Sequence, residues 1–161
     1  MPNWIINGGA VFSTGTIYHT RHIAERNFTV TNLSFISHTS ATSGLTLARF
    51  GIYTRSGTTF TLVARTASDT TIFNTINTRY TRALDTTGSY PATYDFVAGN
   101  EYWISFIVVG TTAGNLLGTS ATTISINNAF GTFVYSQTGQ TDLVTSSTGT
   151  TGTLRMYAEV S

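Results

Sequence analysis

The chain has 161 residues, enough for one domain, and a domain of that length buries roughly 70% of the surface its unfolded chain exposes. Charged side chains make up only 9% of it; the eight basic residues are all arginine, and against seven acids the net charge is +1, too weak a field to gather nucleic acid or an anionic membrane. There is no cysteine, which excludes disulfides and thiolate metal sites.

Threonine and serine supply about 30% of the chain, and threonine is β-branched and favours extended backbone. So neutral a surface has little electrostatic defence against association, a first pointer to contact with neighbouring subunits. The stretch from Met1 to Gly9 lacks the basic start and apolar middle of a signal peptide. The longest apolar run, Trp103 to Val109, is too short to cross a bilayer as a helix, so no membrane insertion is expected.

No segment keeps an apolar period of 3.6 residues, and the pattern predicts strands instead. In chain order they are Phe28 to Ile36, Leu47 to Thr54, Phe60 to Thr66, Arg79 to Leu84, Thr93 to Val97, Tyr102 to Val109, Thr122 to Ile126, Thr132 to Tyr135 and Leu154 to Val160. Turn signals separate them at Ser43-Gly44, Ser56-Gly57, Thr87-Gly88, Gly99-Asn100, Gly114-Asn115 and Gly131. Thr66 to Asn77 reads as a long connection. Residues 137–152 read as a second one, too polar and Gly-rich to pack a core. Many short strands at such spacing predict an all-β, antiparallel sandwich of jelly-roll type with about 8–10 strands, in a single domain over residues 1–161.

Two elements raise the question of what lies on the second side of the sheet. A three-residue turn at Ser56-Gly57-Thr58 would pair Ile52 with Leu62 and Phe50 with Ala64 on one apolar face, leaving Arg49 opposite Arg65 on the other. Like charges facing across a ladder are unfavourable, so that face calls for a partner. The strand Tyr102 to Val109 is apolar on both sides, with Tyr102, Ile104, Phe106 and Val108 on one and Trp103, Ser105, Ile107 and Val109 on the other. A free-standing sandwich would show polar residues outward. Either a long loop of the same chain or another subunit covers the Trp103 side.

The succession Ala48-Arg-Phe-Gly-Ile-Tyr-Thr, Leu62-Val-Ala-Arg-Thr-Ala-Ser-Asp-Thr-Thr-Ile-Phe73, Tyr80-Thr-Arg-Ala-Leu84, Tyr90-Pro-Ala92 and Phe96-Val-Ala-Gly-Asn-Glu-Tyr-Trp103 resembles a stretch common in structural proteins of tailed bacteriophages. There it occurs in tail-fibre, minor-tail and capsid-attached proteins with sandwich or jelly-roll modules. The resemblance covers roughly residues 46–110 and implies a virion component. It carries no catalytic motif. With no heptad or second domain in view, a capsid decoration (cement) protein fits better than a fibre tip. The resemblance then implies a homo-oligomer, a trimer at local three-fold positions, bound to the major capsid protein.

Chemistry-bearing residues are sparse. His19 and His22 are the only close histidine pair, and on a strand positions three apart point to opposite faces, which argues against a metal site and leaves them as polar surface or interface residues. The acids are scattered, no Gly-x-Ser-x-Gly elbow, phosphate loop or HExxH motif occurs, and neither an enzyme nor a cofactor is expected. Arginine suits desolvated protein contacts, so Arg49, Tyr53, Arg65 and Trp103 are the candidate subunit or lattice contacts. The competing reading is a tail-fibre or spike domain that binds a host-surface glycan through Trp4, Tyr53, Tyr94 and Trp103.

Overall fold

The computed structural model describes residues 8–120, 134–152 and 154–161. Trp4, the expected strand Thr122 to Ile126 and the start of the expected strand at Thr132 lie outside them. The described chain is all-β. Its strands are β1 Gly9–Val11, β2 Ile17–Ile23, β3 Phe28–Val30, β4 Asn32–Ile36, β5 Ser43–Ser56, β6 Thr59–Arg65, β7 Arg79–Ala83, β8 Tyr94–Phe96, β9 Glu101–Thr112, β10 Asn115–Ser120, β11 Val134–Gln137, β12 Ser146–Thr148, β13 Thr150–Thr151, β14 Leu154–Met156 and β15 Ala158–Val160. All the pairings are antiparallel.

There are more strands than the expected 8–10, partly because two expected strands each serve two sheets. The chain leaves one sheet for the next at Thr31, where the amides of Thr31 and Asn32 both donate to the Ser161 carbonyl. It does so again at Tyr157, whose amide donates to Leu117. β1, β2 and β10 carry no clean alternation of polar and apolar residues, and sequence reading passed over them.

The large sheet runs in the order β12-β6-β5-β9-β2-β11-β13. One side of it packs Phe50, Ile52, Ile104, Phe106 and Val108 against a second layer built from the smaller sheets β15-β4-β7, β1-β10-β14 and β3-β8. This is the sandwich core, and Leu33, Phe35, Tyr80, Phe96, Leu116 and Met156 meet the large sheet there. The connection from Thr66 to Asn77 has no strand of its own but plugs this core with Ile72 and Phe73.

On the other side the sheet curls onto itself. Its outer members β12 and β13 are separated in the chain by Gly149 alone, so the chain passes from one edge of the sheet to the other in a single residue. Phe60 of β6 and Tyr135 of β11 thereby approach to 5.1 Å between ring centroids. A Cβ on Gly149 would stand 3.0 Å from Tyr135 Cβ and 3.2 Å from Phe60 Cε2, which is why a residue without a side chain closes the curl. The nearly closed sheet encloses a second apolar cluster of Ile17, Tyr53, Phe60, Leu62, Trp103, Ile107 and Leu143.

The structure departs from two expectations. Residues 137–152 are not an unpacked loop: Leu143 is buried in the second cluster, and β12 and β13 pair with β6 and β11. Edge pairing uses backbone groups, so a Thr- and Ser-rich segment can complete a sheet without an apolar face of its own. The hairpin register also differs. Ser56 pairs with Thr59 around a two-residue Gly57-Thr58 turn, and the ladder shifts between Ile52↔Ala64 and Tyr53↔Leu62, leaving Val63 unpaired as a bulge. The extra residue turns Phe60 and Leu62 toward the inner cluster while Ala64 stays on the sandwich core.

Candidate functional site

The inner side of the curled sheet gathers nearly every residue singled out from the sequence. In β5 the inward positions are Leu47, Arg49, Gly51, Tyr53 and Arg55; the β5–β9 register sets Tyr53 beside Trp103, Gly51 beside Ser105 and Arg49 beside Ile107. The β2–β9 register then places Arg21 beside Trp103 and His19 beside Ser105.

Arg49 and Arg65 are not cross-strand partners, because the bulge sets Gly51 opposite Arg65. They lie diagonally on one face and converge on a single carboxylate: Arg49 Nε is 3.3 Å from Asp142 Oδ1 and Arg65 Nη1 is 3.6 Å from Asp142 Oδ2. Arg65 also stacks over the Tyr90 ring at 4.8 Å. What faces the arginines is thus the chain's own segment after β11, and Tyr53 ties down the same segment by donating from its hydroxyl to the Val144 carbonyl at 3.0 Å. Burial, with Tyr90 and Asp142 nearby, holds the Tyr53 phenol neutral far above its ordinary range.

Tyr53 and Trp103 are both 0% exposed. The Trp103 side is therefore covered from within the chain, and neither ring presents a surface to a subunit or a sugar. Of the residues considered for a glycan, Tyr94 alone keeps an exposed portion among those described, packed edge-on to Tyr102 and Phe96. Tyr53, Tyr94 and Trp103, the three that are described, do not form one platform.

His19, expected from the sequence as a polar surface or interface residue, is instead fully buried within the cluster. Its ring stacks on Phe60 at 4.4 Å and meets Tyr53 edge-on at 4.8 Å. Nδ1 lies 2.7 Å from Ser105 Oγ, and Nε2 is buried with no hydrogen-bond partner. Because Ser105 donates to the Trp103 carbonyl, it accepts from Nδ1–H and leaves the ring's lone pair on Nε2. Burial pushes the imidazole down to about 3, so it is neutral at ordinary pH. A serine and an imidazole at this distance match a nucleophile with its base. Both side chains are fully enclosed, however, and no carboxylate orients the ring. The pair acts as a cross-strand hydrogen bond inside the curl. His22 projects to the opposite face, toward Phe96, as strand alternation requires.

Arg55 was missed in the sequence. Its guanidinium lies 4.4 Å from the Tyr135 ring centroid, 5.5 Å from Phe60 and 5.6 Å from Trp103, and Nη2 donates to Tyr135 Oη at 2.7 Å. The signal that could have found it is its position two residues beyond Tyr53 on the same side of the strand. Next to it Trp103 Nε1 donates to Glu101 Oε1 at 2.8 Å, and Arg21 pairs with Glu101 at 2.5 Å.

Among the described residues no three His, Asp or Glu side chains gather as a metal site, and no helix is long and apolar enough to cross a membrane. No protein-family model matches the chain, and no curated protein matches its sequence.

Proposed function

We propose that this chain is a non-catalytic structural component of a bacteriophage particle, a decoration protein that self-associates and binds the assembled capsid. The observation that carries the reading is where the charges go. Arg21, Arg49, Arg65, Arg79 and Arg82 are tied to Glu101, Asp142, Glu159 and Asp69 within the chain. The exterior left over is mostly threonine and serine with few free charges. Such a surface is poorly defended against association and suits packing on a regular lattice of neighbours. The enclosed aromatic cluster supports the same role, since it stiffens the fold rather than opening a pocket to a small molecule.

The mechanism is linkage. A protein that binds the assembled shell and not its free subunits stabilises the shell by RT ln(1 + [L]/Kd), about 2.7 kcal/mol at a hundredfold excess over Kd. The test is co-sedimentation of the purified chain with undecorated phage capsids, combined with the temperature at which those capsids open. Saturable binding and a raised opening temperature are expected. Binding to host envelopes or to a glycan array, with none to capsids, would instead establish the receptor-binding reading.

A further inference from the structure

We propose that Arg55 is a carboxylate-binding anchor at one end of the curled sheet, and that its ligand is Glu25 of a second copy of this chain. The inference rests on the self-assembly reading and names its contact. Tyr53 pairs with Trp103 in β9, so two residues on Arg55 stands level with Glu101, which pairs with Ile23 at the end of β2. Arg55, Ile23 and the turn carrying Glu25 therefore share one end of the sheet.

The electrostatics single out Arg55. The other half-buried arginines all pair with a carboxylate of the chain, Arg21 with Glu101, Arg82 with Asp69, and Arg49 and Arg65 with the shared Asp142, as the more exposed Arg79 does with Glu159. All seven acids of the chain lie within the described residues, and none pairs with Arg55. Three rings and the Tyr135 hydroxyl hold its guanidinium in place, while Nε is enclosed with no acceptor. A planar guanidinium fixed in this way has its conformational freedom already removed and matches the geometry of a carboxylate. A sugar is the poorer fit, because of the three rings around Arg55, Phe60 and Trp103 are fully buried and the half-buried Tyr135 already carries the guanidinium against its ring at 4.4 Å.

Charge complementarity selects the second copy. Glu25 is exposed, next to the exposed Arg26 in the chain, and in no ion pair, and it lies close enough to the half-buried His22 to oppose the lowering of that imidazole. Two residues before it Ile23 is 49% exposed, a large apolar side chain left in water at the same end. A two-fold axis through this end makes the contact twice, Arg55 to Glu25 and Glu25 to Arg55, with the two Ile23 side chains covered between them. Arginine and tyrosine are what the centre of a protein contact favours.

The test is sedimentation velocity over a concentration series. Arg55→Glu and Glu25→Arg should each weaken self-association at least about tenfold, and the double reversal should recover most of the loss. Glu25 is on the surface, so E25R keeps the test intact if R55E fails to fold. Self-association of the native chain that survives E25R overturns the pair and leaves the assembly reading standing, because capsid co-sedimentation reports on that reading separately. A monomeric native chain that instead takes up a uronate-bearing oligosaccharide, with uptake lost in R55E, overturns the pair in favour of a sugar ligand.

Discussion

Gly51 and Leu143 touch across the inner face of the curled sheet: a Cβ on Gly51 would stand only 2.7 Å from Leu143 Cδ1, and 3.0 Å from Leu62 Cδ1. The absent side chain in β5 is thus what admits the strap that follows β11. Gly51→Val should lower stability by about 1–3 kcal/mol through overpacking. In G51V/L143A the second change removes the obstructing side chain, so the double variant should be more stable than the sum of the two single losses predicts. Thermal melts of the four proteins in this cycle check it. Additive losses would mean that the strap does not rest on Gly51.

Asp142 is the shared counter-ion of Arg49 and Arg65. Asp142→Asn should cost about 1 kcal/mol, a figure held down because the carboxylate side chain is 36% exposed and partly screened by solvent. Removing it leaves two guanidinium groups on one face with nothing between them. The loss should therefore be larger in about 0.01 M salt than in about 1 M salt, where the Debye length falls from roughly 30 to roughly 3 Å. Urea titrations at the two salt concentrations provide the comparison, and a salt-independent loss would count against the shared-carboxylate account.

Trp103 is fully buried between Phe60 and Tyr135, at 5.2 and 5.3 Å between ring centroids. In a Trp4→Phe background it is the sole indole, and its emission should be blue-shifted and resist acrylamide even at concentrations where the chain is monomeric. If quenching rose on dilution, the indole would be covered by a second molecule rather than by its own strap.

The doubly apolar run from Tyr102 to Val109 was legible as a strand covered on both sides, and the excess of arginine opposite the core correctly signalled that something lies there. What covers them was not legible. Leu143 and Asp142 sit in a stretch whose composition reads as solvent-exposed, and its strands are recruited by backbone pairing, which leaves no trace in side-chain pattern. The bulge at Val63 was equally silent. One unpaired residue reassigns Phe60 and Leu62 to the inner cluster, and periodicity alone gives no sign of where a ladder slips. His19 was misjudged for a related reason: a histidine flanked by tyrosine and threonine looks superficial until β9, β6 and β11 close around it.

That enclosed histidine makes stability depend on pH in a defined window. The imidazole titrates near 6.5 in the unfolded chain and at about 3 when folded. Between those values the unfolded state binds the extra proton, so stability is full above pH 6.5 and falls as pH drops toward 3, on the order of 1 kcal/mol per pH unit. His22, also lowered by burial although Glu25 opposes it, adds a smaller loss of the same sign. Asp69, held below the usual carboxylate range by Thr71 and Arg82 against the opposing effect of burial, loses its contribution only at lower pH, beneath the carboxylate range. The interval from about pH 6.5 to about pH 4.5 is therefore the histidines' own. His19→Phe keeps a ring against Phe60 but removes the titrating nitrogen; forfeiting the Ser105 hydrogen bond should cost about 1 kcal/mol at neutral pH. Its urea midpoint should then change much less than the native protein's across that interval. Equal slopes for the two proteins would show that the proton enters elsewhere and that Nε2 is not sealed from water.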